Sequence, residues 1–384
     1  MQTIVSQDLT NWAIAHRRHL HQYPELSGQE FETCAYIRRC LEELHIDVLN
    51  YQPPNIVGFL KGTTGAKTIA LRADIDALPI LEQGEKSYQS KVPGVAHMCG
   101  HDGHTAVLLA VAKWLSEHRH LCKHNILFLF QSSEEALPSG AQALVQQGAV
   151  DTADVVFGLH LMQTLPLGKI GVCEGATMSA ADDFTIRIEG KGGHGSMPHE
   201  TVDPTYIASH IIFALQSIVS RRLDPLEPAV ISVGKMEAGI AYNVIPHEAT
   251  IGGTIRTLSH ETRAMIVNEM TRMVEGICTG FLAKGSVEFG WGAPPVINDK
   301  KLARYASQVI TSSFGSEMLL PIGPMMGSED FSYYLEKKPG VYLFVGMGGE
   351  KSMYPHHHPQ FDIDEEAIPT AIRLFLELIQ QFET

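Results

Sequence analysis

The chain lacks the features that would assign it to a membrane or to nucleic acid. No apolar run reaches the roughly 18–20 residues that a bilayer requires, and the N-terminal segment lacks the basic-then-apolar order of a signal peptide. Basic residues are scarce, since 29 Lys and Arg stand against 43 Asp and Glu, a formal charge of −14. Because phosphate binding requires a basic surface, we predict no nucleic-acid partner. From the absence of a long apolar run and of a signal-peptide pattern, we predict no membrane association and a cytoplasmic location.

Cysteine is also sparse for a chain of this length. The six cysteines, at positions 34, 40, 99, 122, 173 and 278, are scattered and follow no secretory signal. This usage predicts reduced thiols and not a disulfide framework. At 384 residues the chain exceeds the size at which a single core keeps growing, so we expect two domains.

Short apolar runs alternate with amphipathic helical patterns at both ends of the chain. The runs that predict strands are residues 68–74, 125–131, 154–161 and 340–346, and those that predict helices are 104–118, 301–314 and 365–382. This alternation is typical of an α/β domain whose mostly parallel sheet is flanked by helices. We assign residues 1–180 and 294–384 to this domain.

The middle of the chain follows another pattern. Predicted strands at 183–189, 228–239, 247–258 and 286–291 are interrupted by helices at 203–222 and from Ser259 onward. The order β-α-β-β-α-β is that of a ferredoxin-like α+β domain. We therefore expect residues 181–293 to form a smaller domain inserted into the larger one.

Metal-binding side chains concentrate in the segment AHMCGHDGHTA, residues 96–106. Cys99 and His101 are two positions apart, so in an extended segment both would face the same way. Thiolate and imidazole are ligands for zinc and related metals. A buried thiol beside surface imidazoles is the alternative.

Further donors follow other predicted strands. Glu134 and Glu135 come after the second run, His160 ends the third, and three histidines at 356–358 follow the last. Taken singly, these are an exposed acidic turn or a hydrogen-bonded core histidine. However, sites in open α/β sheets form outside the carboxyl ends of the strands, and all of these groups fall there. The inventory suits a pair of divalent ions.

The sequence resembles the aminoacylase–carboxypeptidase family of dinuclear metallohydrolases, and within it the hippurate hydrolase and auxin-conjugate amidohydrolase branch. The resemblance begins near residue 15 and continues in order to the C-terminal end. It is carried by the segments RRHLHQYPELSGQEFET (17–33), LRADIDALPI (71–80), HMCGHDGHTA (97–106), QSSEEALPSGA (131–141), FGLH (157–160), GKGGHGSMPHETVDP (190–204), NVIPHEATIGGTIR (243–256), SEDFS (328–332) and HHHPQFD (356–362).

The resemblance implies a set of metal ligands and a general base. The implied ligands of two divalent ions, Zn²⁺ or Mn²⁺, are Cys99, His101, Glu135, His160 and His357. Glu134 would be the base. Arg72 stands where most of the wider family has a metal-binding histidine, and Asp74 would orient a ligand, unless it is only a turn residue.

For the inserted domain, the resemblance implies a dimer interface that shares the active site. His194 would reach the partner subunit's site and stabilise an oxyanion. Asn243 and Arg256 would hold a substrate carboxylate, with help from His199. A turn amide for Asn243 and an interface salt bridge for Arg256 are the alternatives. The glycine-rich stretch before His194 lacks the Gly-Lys-Ser/Thr of a phosphate-binding loop.

Three functional hypotheses follow. The first is metal-dependent hydrolysis of N-acyl amino acids, such as hippurate-like substrates, to a carboxylic acid and an amino acid by a homodimer. The second is deacetylation of an N-acetyl-diaminopimelate-type compound, or dipeptide hydrolysis. The third is a metal- or peptide-binding protein without catalysis, which the presence of Glu134 disfavours.

Overall fold

The structure, a computed structural model, describes residues 5–383. These residues separate into two compact units. Unit 1 runs from the first described residue to Gly175 and also includes Asn298–Gly323 and the chain from Asp330 onward, and unit 2 comprises Ala176–Ile297 and Pro324–Glu329. The segment expected to form the inserted domain, 181–293, lies within the longer part of unit 2.

Helices and strands alternate over most of the described chain. The α-helices are α1 (Gln7–Gln22), α2 (Phe31–Glu43), α3 (His101–Glu117), α4 (Gly140–Gln146), α5 (Pro204–Ser217), α6 (His260–Gly280), α7 (Lys300–Phe314), α8 (Ser332–Leu335) and α9 (Ile368–Gln380). Single turns of 3₁₀-helix occur at Arg119–Leu121, Pro198–Glu200 and Glu365–Ala367, and a π-helical segment, Ile218–Arg222, extends α5.

The strands are β1 (Asp47–Leu49), β2 (Ile56–Leu60), β3 (Thr68–Asp74), β4 (Asn125–Gln131), β5 (Val155–Pro166), β6 (Ile170–Val172), β7 (Gly175–Met178), β8 (Ala180–Glu189), β9 (Gly193–His194), β10 (Ala229–Ala238), β11 (Val244–Ile245), β12 (Glu248–Thr257), β13 (Lys284–Gly290), β14 (Val296–Asn298), β15 (Leu319–Pro321) and β16 (Gly340–Gly348).

A large sheet forms the centre of unit 1. Its strand order is β1-β2-β4-β3-β5-β16-β6-β15, and the central strands β4, β3, β5 and β16 are parallel. Every residue of β3 is buried, which requires cover on both faces of the sheet. Helix α3 is buried along most of its length and packs against α1, α9 and β3. The prediction of an α/β fold with a mostly parallel sheet is confirmed.

The carboxyl ends of the parallel strands meet along one edge of this sheet. Asp74, the last residue of β3, pairs with Gln131, the last residue of β4. Strand β5 runs parallel to β3 with Gly158 beside Arg72, and continues past it through His160. The polar residues that follow these strands are therefore collected on one side of unit 1.

Unit 2 is built on an antiparallel sheet with the order β10-β12-β8-β13. Alternate residues of β8 are buried, and helices α5 and α6 pack on the sheet around Ile186, Ile207 and Ile266. Helix α6 begins after Ser259, whose Oγ accepts the N–H of Thr262 at 3.1 Å. The four strands of this sheet and the two helices follow one another as β-α-β-β-α-β, the order expected from the sequence.

Across residues 5–383, no helix has both the length and the apolar character that a bilayer span requires.

Candidate metal centre

Cys99 and His101 are brought together by a left-handed turn. Gly100 has φ = +95°, a conformation that glycine adopts far more readily than residues with a Cβ. The turn makes His101 the first residue of α3, three positions before the predicted helix start, and buries its ring. The expectation of an extended segment here is therefore wrong, although the two side chains do converge.

The predicted ligands and the predicted base place their donor atoms in one cluster. Three overlapping groups each have donor atoms within 4.8 Å of one another: Cys99, His101 and His160; Cys99, Glu135 and His357; and His101, Glu134 and Glu135. These side chains come from the turn at the start of α3, the segment after β4, strand β5 and the loop after β16. The structure thus brings together residues that lie more than 250 positions apart in the chain.

The ring of His101 is held through one nitrogen only. Its Nδ1 lies 3.0 Å from the carbonyl oxygen of Asp76 and 3.1 Å from Oδ1 of the same residue. Its Nε2 is buried and makes no hydrogen bond, with Asp74 Oδ2 at 3.7 Å and Glu135 Oε1 at 3.9 Å. An imidazole oriented at one nitrogen and unpartnered at the other is arranged as metal ligands are.

Glu135 also presents a buried oxygen without a hydrogen bond. Its backbone N–H donates to Oδ2 of Asp76 at 3.0 Å, which fixes the start of the side chain. Its Oε1 is buried without an aligned donor, and Nε2 of His357 lies 3.1 Å away. A buried nitrogen or oxygen atom that makes no hydrogen bond is energetically unfavourable unless it binds a ligand. Thiolate, imidazole and carboxylate together fit a divalent transition-metal ion.

The side chains of the cluster differ in their protonation preferences. Although desolvation opposes it, the Asp74 carboxylate raises the pKa of the His101 imidazole well above its ordinary value. Desolvation and the Glu135 carboxylate raise the pKa of the Cys99 thiol well above its ordinary value. Desolvation and the neighbouring His104 lower the pKa of His160, which keeps that imidazole in the neutral form that binds metals. A bound divalent ion reverses the preference of the thiol, because it stabilises the thiolate directly.

Asp74, predicted to orient a ligand, is hydrogen-bonded to His104 and Arg72. Its Oδ1 accepts from Nδ1 of His104 at 2.6 Å, and its Oδ2 accepts from Arg72 at 2.7 Å. The carboxylate that contacts Nδ1 of His101 is that of Asp76, at 3.1 Å. Asp74 lies beside one predicted ligand, with Oδ2 3.7 Å from Nε2 of His101. It is also linked through His104, whose Nε2 accepts the N–H of Leu161, the residue after His160, at 2.9 Å.

Arg72 forms a buried network of its own. Its Nε donates to Gln131 Oε1 and one Nη donates to Asp330 Oδ1, each at 2.8 Å, while the other pairs with Asp74. With carboxylates on both sides, the guanidinium is balanced in charge. Arg72 therefore links the end of β3 to the end of β4 and to Asp330.

The three consecutive histidines differ in their surroundings. His357 has φ = +68°, its N–H donates to the carbonyl of Met98 at 2.8 Å, and its ring reaches Glu135. His356 Nε2 accepts the N–H of Gln163 at 3.3 Å, and its Nδ1 lies 3.9 Å from Sγ of Cys99. His358 stacks on Tyr354 at 4.6 Å. His357 remains the predicted ligand, since its ring nitrogen meets the carboxylate of Glu135.

The residues predicted for substrate binding lie on unit 2. His194 pairs with Val244 between β9 and β11, which places it beside Asn243, whose carbonyl accepts the N–H of Gly195 at 2.8 Å. Arg256 is partly buried on β12 and donates to the carbonyl of Ile255 at 3.1 Å. His199 lies on the exposed turn Pro198–Glu200. Within unit 2 the structure groups His194 with Asn243 and places the other two on separate elements.

Sequence reasoning missed Asp76 and His104. Asp76 supports both His101 and Glu135, and a signal for it was available. Asp74 and Asp76 are two positions apart at the end of a buried strand. In an extended chain, this spacing directs both carboxylates to the same face. His104, one helical turn after His101, carried no comparable signal because its ring bonds to a distant backbone N–H.

Comparison with known proteins gives consistent results. Residues 70–381 match the peptidase family M20/M25/M40. The chain is 41% identical over 366 residues to an N-acetylcysteine deacetylase of Bacillus subtilis, covering 94% of each protein. It is 36% identical over 385 aligned positions to an IAA-amino acid hydrolase of Arabidopsis thaliana, covering 98% of this chain and 86% of that protein.

Among solved structures, the chain is similar to a dinuclear metal-binding peptidase of the M20 family from Bacillus subtilis. The TM-score is 0.86 with 37% sequence identity, and the match covers 98% of both chains. Nearly the whole chain, both units included, therefore has a counterpart in a solved protein.

Proposed function

The chain belongs to peptidase family M20/M25/M40, and we propose that it hydrolyses the amide bond of N-acyl amino acids to a carboxylic acid and a free amino acid. As a member of this family it is a metal-dependent amidohydrolase.

One observation carries the proposal. Donor atoms of Cys99, His101, Glu135, His160 and His357 converge, with buried and unpartnered atoms on His101 and Glu135, and Glu134 lies among them. We assign the first five as ligands of two divalent ions and Glu134 as the general base.

The chemistry that such ions supply when bound is acidification of water and polarisation of a carbonyl oxygen. The protein supplies the proton transfers. Glu134 takes the proton from the attacking water and passes it to the leaving nitrogen, which cannot depart as an amide anion. Because Glu134 is next to Glu135 in the chain, its carboxylate lies beside the proposed ligands and remains available as a base.

Substrate recognition is assigned to unit 2. Arg256 and Asn243 would hold the carboxylate of the amino-acid product, for which a planar guanidinium is well suited. His194 would stabilise the oxyanion of the tetrahedral intermediate, with His199 nearby in sequence. The names of two relatives support this substrate class, since one describes removal of an acetyl group from N-acetylcysteine and the other hydrolysis of an IAA–amino acid.

We further infer that the working form is a homodimer in which unit 2 contributes His194 to the partner's site. In support, strand β10 is an edge of its sheet, and Met236, Ile240, Tyr242 and Val244 on or after it are exposed apolar side chains. Exposed edges and clustered apolar groups are typical of surfaces that bind another chain.

The test is the Glu134→Gln variant, reconstituted with Zn²⁺ or Mn²⁺. We expect it to bind the same amount of metal as the wild type and to lose about 10²–10⁴-fold in kcat on N-benzoyl- and N-acetyl-amino acids. Glu350→Gln, which changes an exposed carboxylate, is the control. Undiminished hydrolysis by Glu134→Gln refutes the base assignment, and a wild-type preference for dipeptides or N-acetyl-diaminopimelate refutes the substrate class.

A further inference from the structure

The segment that carries Glu134 and Glu135 contains an unfavourable backbone conformation. Ser133 has φ = +47°, in the left-handed region that disfavours residues with a Cβ. Such a conformation persists where surrounding contacts determine it, and it occurs preferentially at functional sites. The contacts that hold Ser133 therefore decide where the following two carboxylates point.

Helix α4 confines this segment on its carbonyl side. A Cβ at Gly140 would lie 2.0 Å from the carbonyl oxygen of Ser132, so only glycine allows this approach. The N–H of Gly140 donates to the carbonyl of Ser133 at 3.2 Å. The start of α4 thus fixes the carbonyl groups and leaves the N–H groups of the segment to other partners.

Three buried side chains accept those N–H groups. Asn55 Oδ1 accepts from the N–H of Ser132 at 2.9 Å and from its hydroxyl at 3.1 Å. Glu30 Oε1 accepts from the N–H of Ser133 at 2.8 Å. Asp76, already described, accepts from the N–H of Glu135. The acceptors come from the start of α2, the residue before β2 and the loop after β3, so three separate elements hold one turn.

Burial at this position is unfavourable for the charged form of Glu30. Its side chain is fully buried, and its Oε2 has no hydrogen-bond partner. Desolvation raises the pKa of Glu30 to about 7 even though the Ser133 N–H favours the carboxylate. A buried carboxyl group is unfavourable in a fold unless it serves a specific contact. Here the contact joins it to the residue with the left-handed backbone.

We propose that Glu30 and Asn55 are positioning residues that hold the Ser132–Ser133 turn and thereby set the geometry of Glu134 and Glu135. This inference rests on the proposed roles of those two residues as base and ligand. Catalytic groups require placement within about 0.5 Å, and a turn released from its acceptors can relax to the right-handed region. Such relaxation redirects both carboxylates at once.

The experiment compares Glu30→Met, which removes the acceptor at similar volume, with Glu30→Gln, which keeps a carbonyl oxygen. Glu25→Met is the matched control, because Glu25 accepts the N–H groups of Glu32 and Thr33 at the start of the same helix. Metal affinity is measured by titration of each metal-free protein with Co²⁺, followed by visible absorption, and kcat and KM are measured separately.

We expect Glu30→Met to lose about 10- to 100-fold in Co²⁺ affinity and in kcat, as is usual for residues that support a ligand. KM should change little, and Glu30→Gln should stay within a few-fold of the wild type. If Glu30→Met and Glu25→Met are equally impaired, or if Glu30→Gln is as impaired as Glu30→Met, the positioning role is refuted.

Asn55 provides a second pair in case Glu30→Met does not fold. Asn55→Leu removes the acceptor and Asn55→Asp keeps one, so only Asn55→Leu should lower Co²⁺ affinity and kcat. Equal behaviour of the two Asn55 variants contradicts the proposal. Failure of the proposed function has a different signature, since the wild-type protein would then neither bind Co²⁺ at this cluster nor hydrolyse the substrates.

Discussion

The predicted metal ligands of unit 1 and the predicted substrate residues of unit 2 are held in different ways. In unit 1, His101 is fixed by Asp76, and the backbone of Glu135 is fixed by the same aspartate. In unit 2, His194 is exposed, and its Nδ1 accepts from the N–H and the hydroxyl of its neighbour Ser196. One region is supported by several elements, and the other by its own turn.

The two sets of predicted site residues therefore differ in how strongly the surrounding fold supports them. The contacts that support the predicted metal ligands His101 and Glu135 lie within unit 1 and come from the buried residue Asp76. The exposed side chains around His194 gain no comparable support from unit 2, where Ile240 and Tyr242 are also fully exposed. We therefore expect variants in unit 1 to affect metal binding and variants at His194 to affect turnover alone.

The largest effect is expected for Cys99→Ala. Loss of a ligand should release metal and lower kcat/KM by more than about 1,000-fold. The expected decrease is larger than the decrease caused by removing a single oxyanion donor, because the chemistry supplied by the ion is lost. Bound metal is measured by elemental analysis alongside the kinetics. Cys122→Ala is the control, because Cys122 is buried near the opposite end of α3 and donates to the carbonyl of His124. A metal-replete, active Cys99→Ala enzyme would remove Cys99 from the ligand set.

A smaller loss, about 100- to 1,000-fold in kcat, is expected for His194→Ala, with metal content unchanged. This is the typical cost of removing one oxyanion donor. If the metal content falls as well, the contrast between the two regions is wrong.

The same variant tests whether the site is shared. We expect Glu134→Gln and His194→Ala each to be nearly inactive, whereas in the proposed dimer a mixed pair would contain one site with both native residues. Mixing them under conditions that permit subunit exchange should restore activity. If exchange is verified by mass spectrometry and no activity returns, His194 acts within its own chain or not at all.

Much of unit 1 was predictable because its pattern is strong. The buried strand 125–131 contains an unbroken run of five apolar residues, and the predicted donors follow such strands at positions where parallel strands end together. The ligand set came from the resemblance and not from spacing. Its choice of His357 among three histidines is consistent with the contact to Glu135, but the contact itself depends on a positive φ that no pattern announces.

The supporting contacts were not predictable, for a physical reason. Asn55, Glu30 and Asp76 act on backbone N–H groups 59 to 103 positions away, and a backbone donor leaves no trace in the identity of its residue. The start of α3 was missed by three residues because Gly100 interrupts the extended chain with a left-handed turn. Patterns report which residues are buried, whereas these features depend on where single atoms meet.

The smallest effect concerns stability, and it sharpens the contrast from within unit 1. Burial raises the pKa of Glu30 from an ordinary 4.5 to about 7, so its contribution to stability is present below pH 4.5 and is lost as the pH rises through 7. The difference corresponds to roughly 3 kcal/mol between these limits. Glu30→Gln, which cannot ionise, should therefore gain stability relative to the wild type between pH 5 and pH 8. Urea unfolding of the metal-free proteins measures this gain, with Glu25→Gln as control. If the difference in unfolding free energy between Glu30→Gln and the wild type is the same at pH 5 and pH 8, ionisation of Glu30 does not destabilise the fold. The Glu30 carboxylate would then accept the Ser133 N–H without an energetic penalty for its burial.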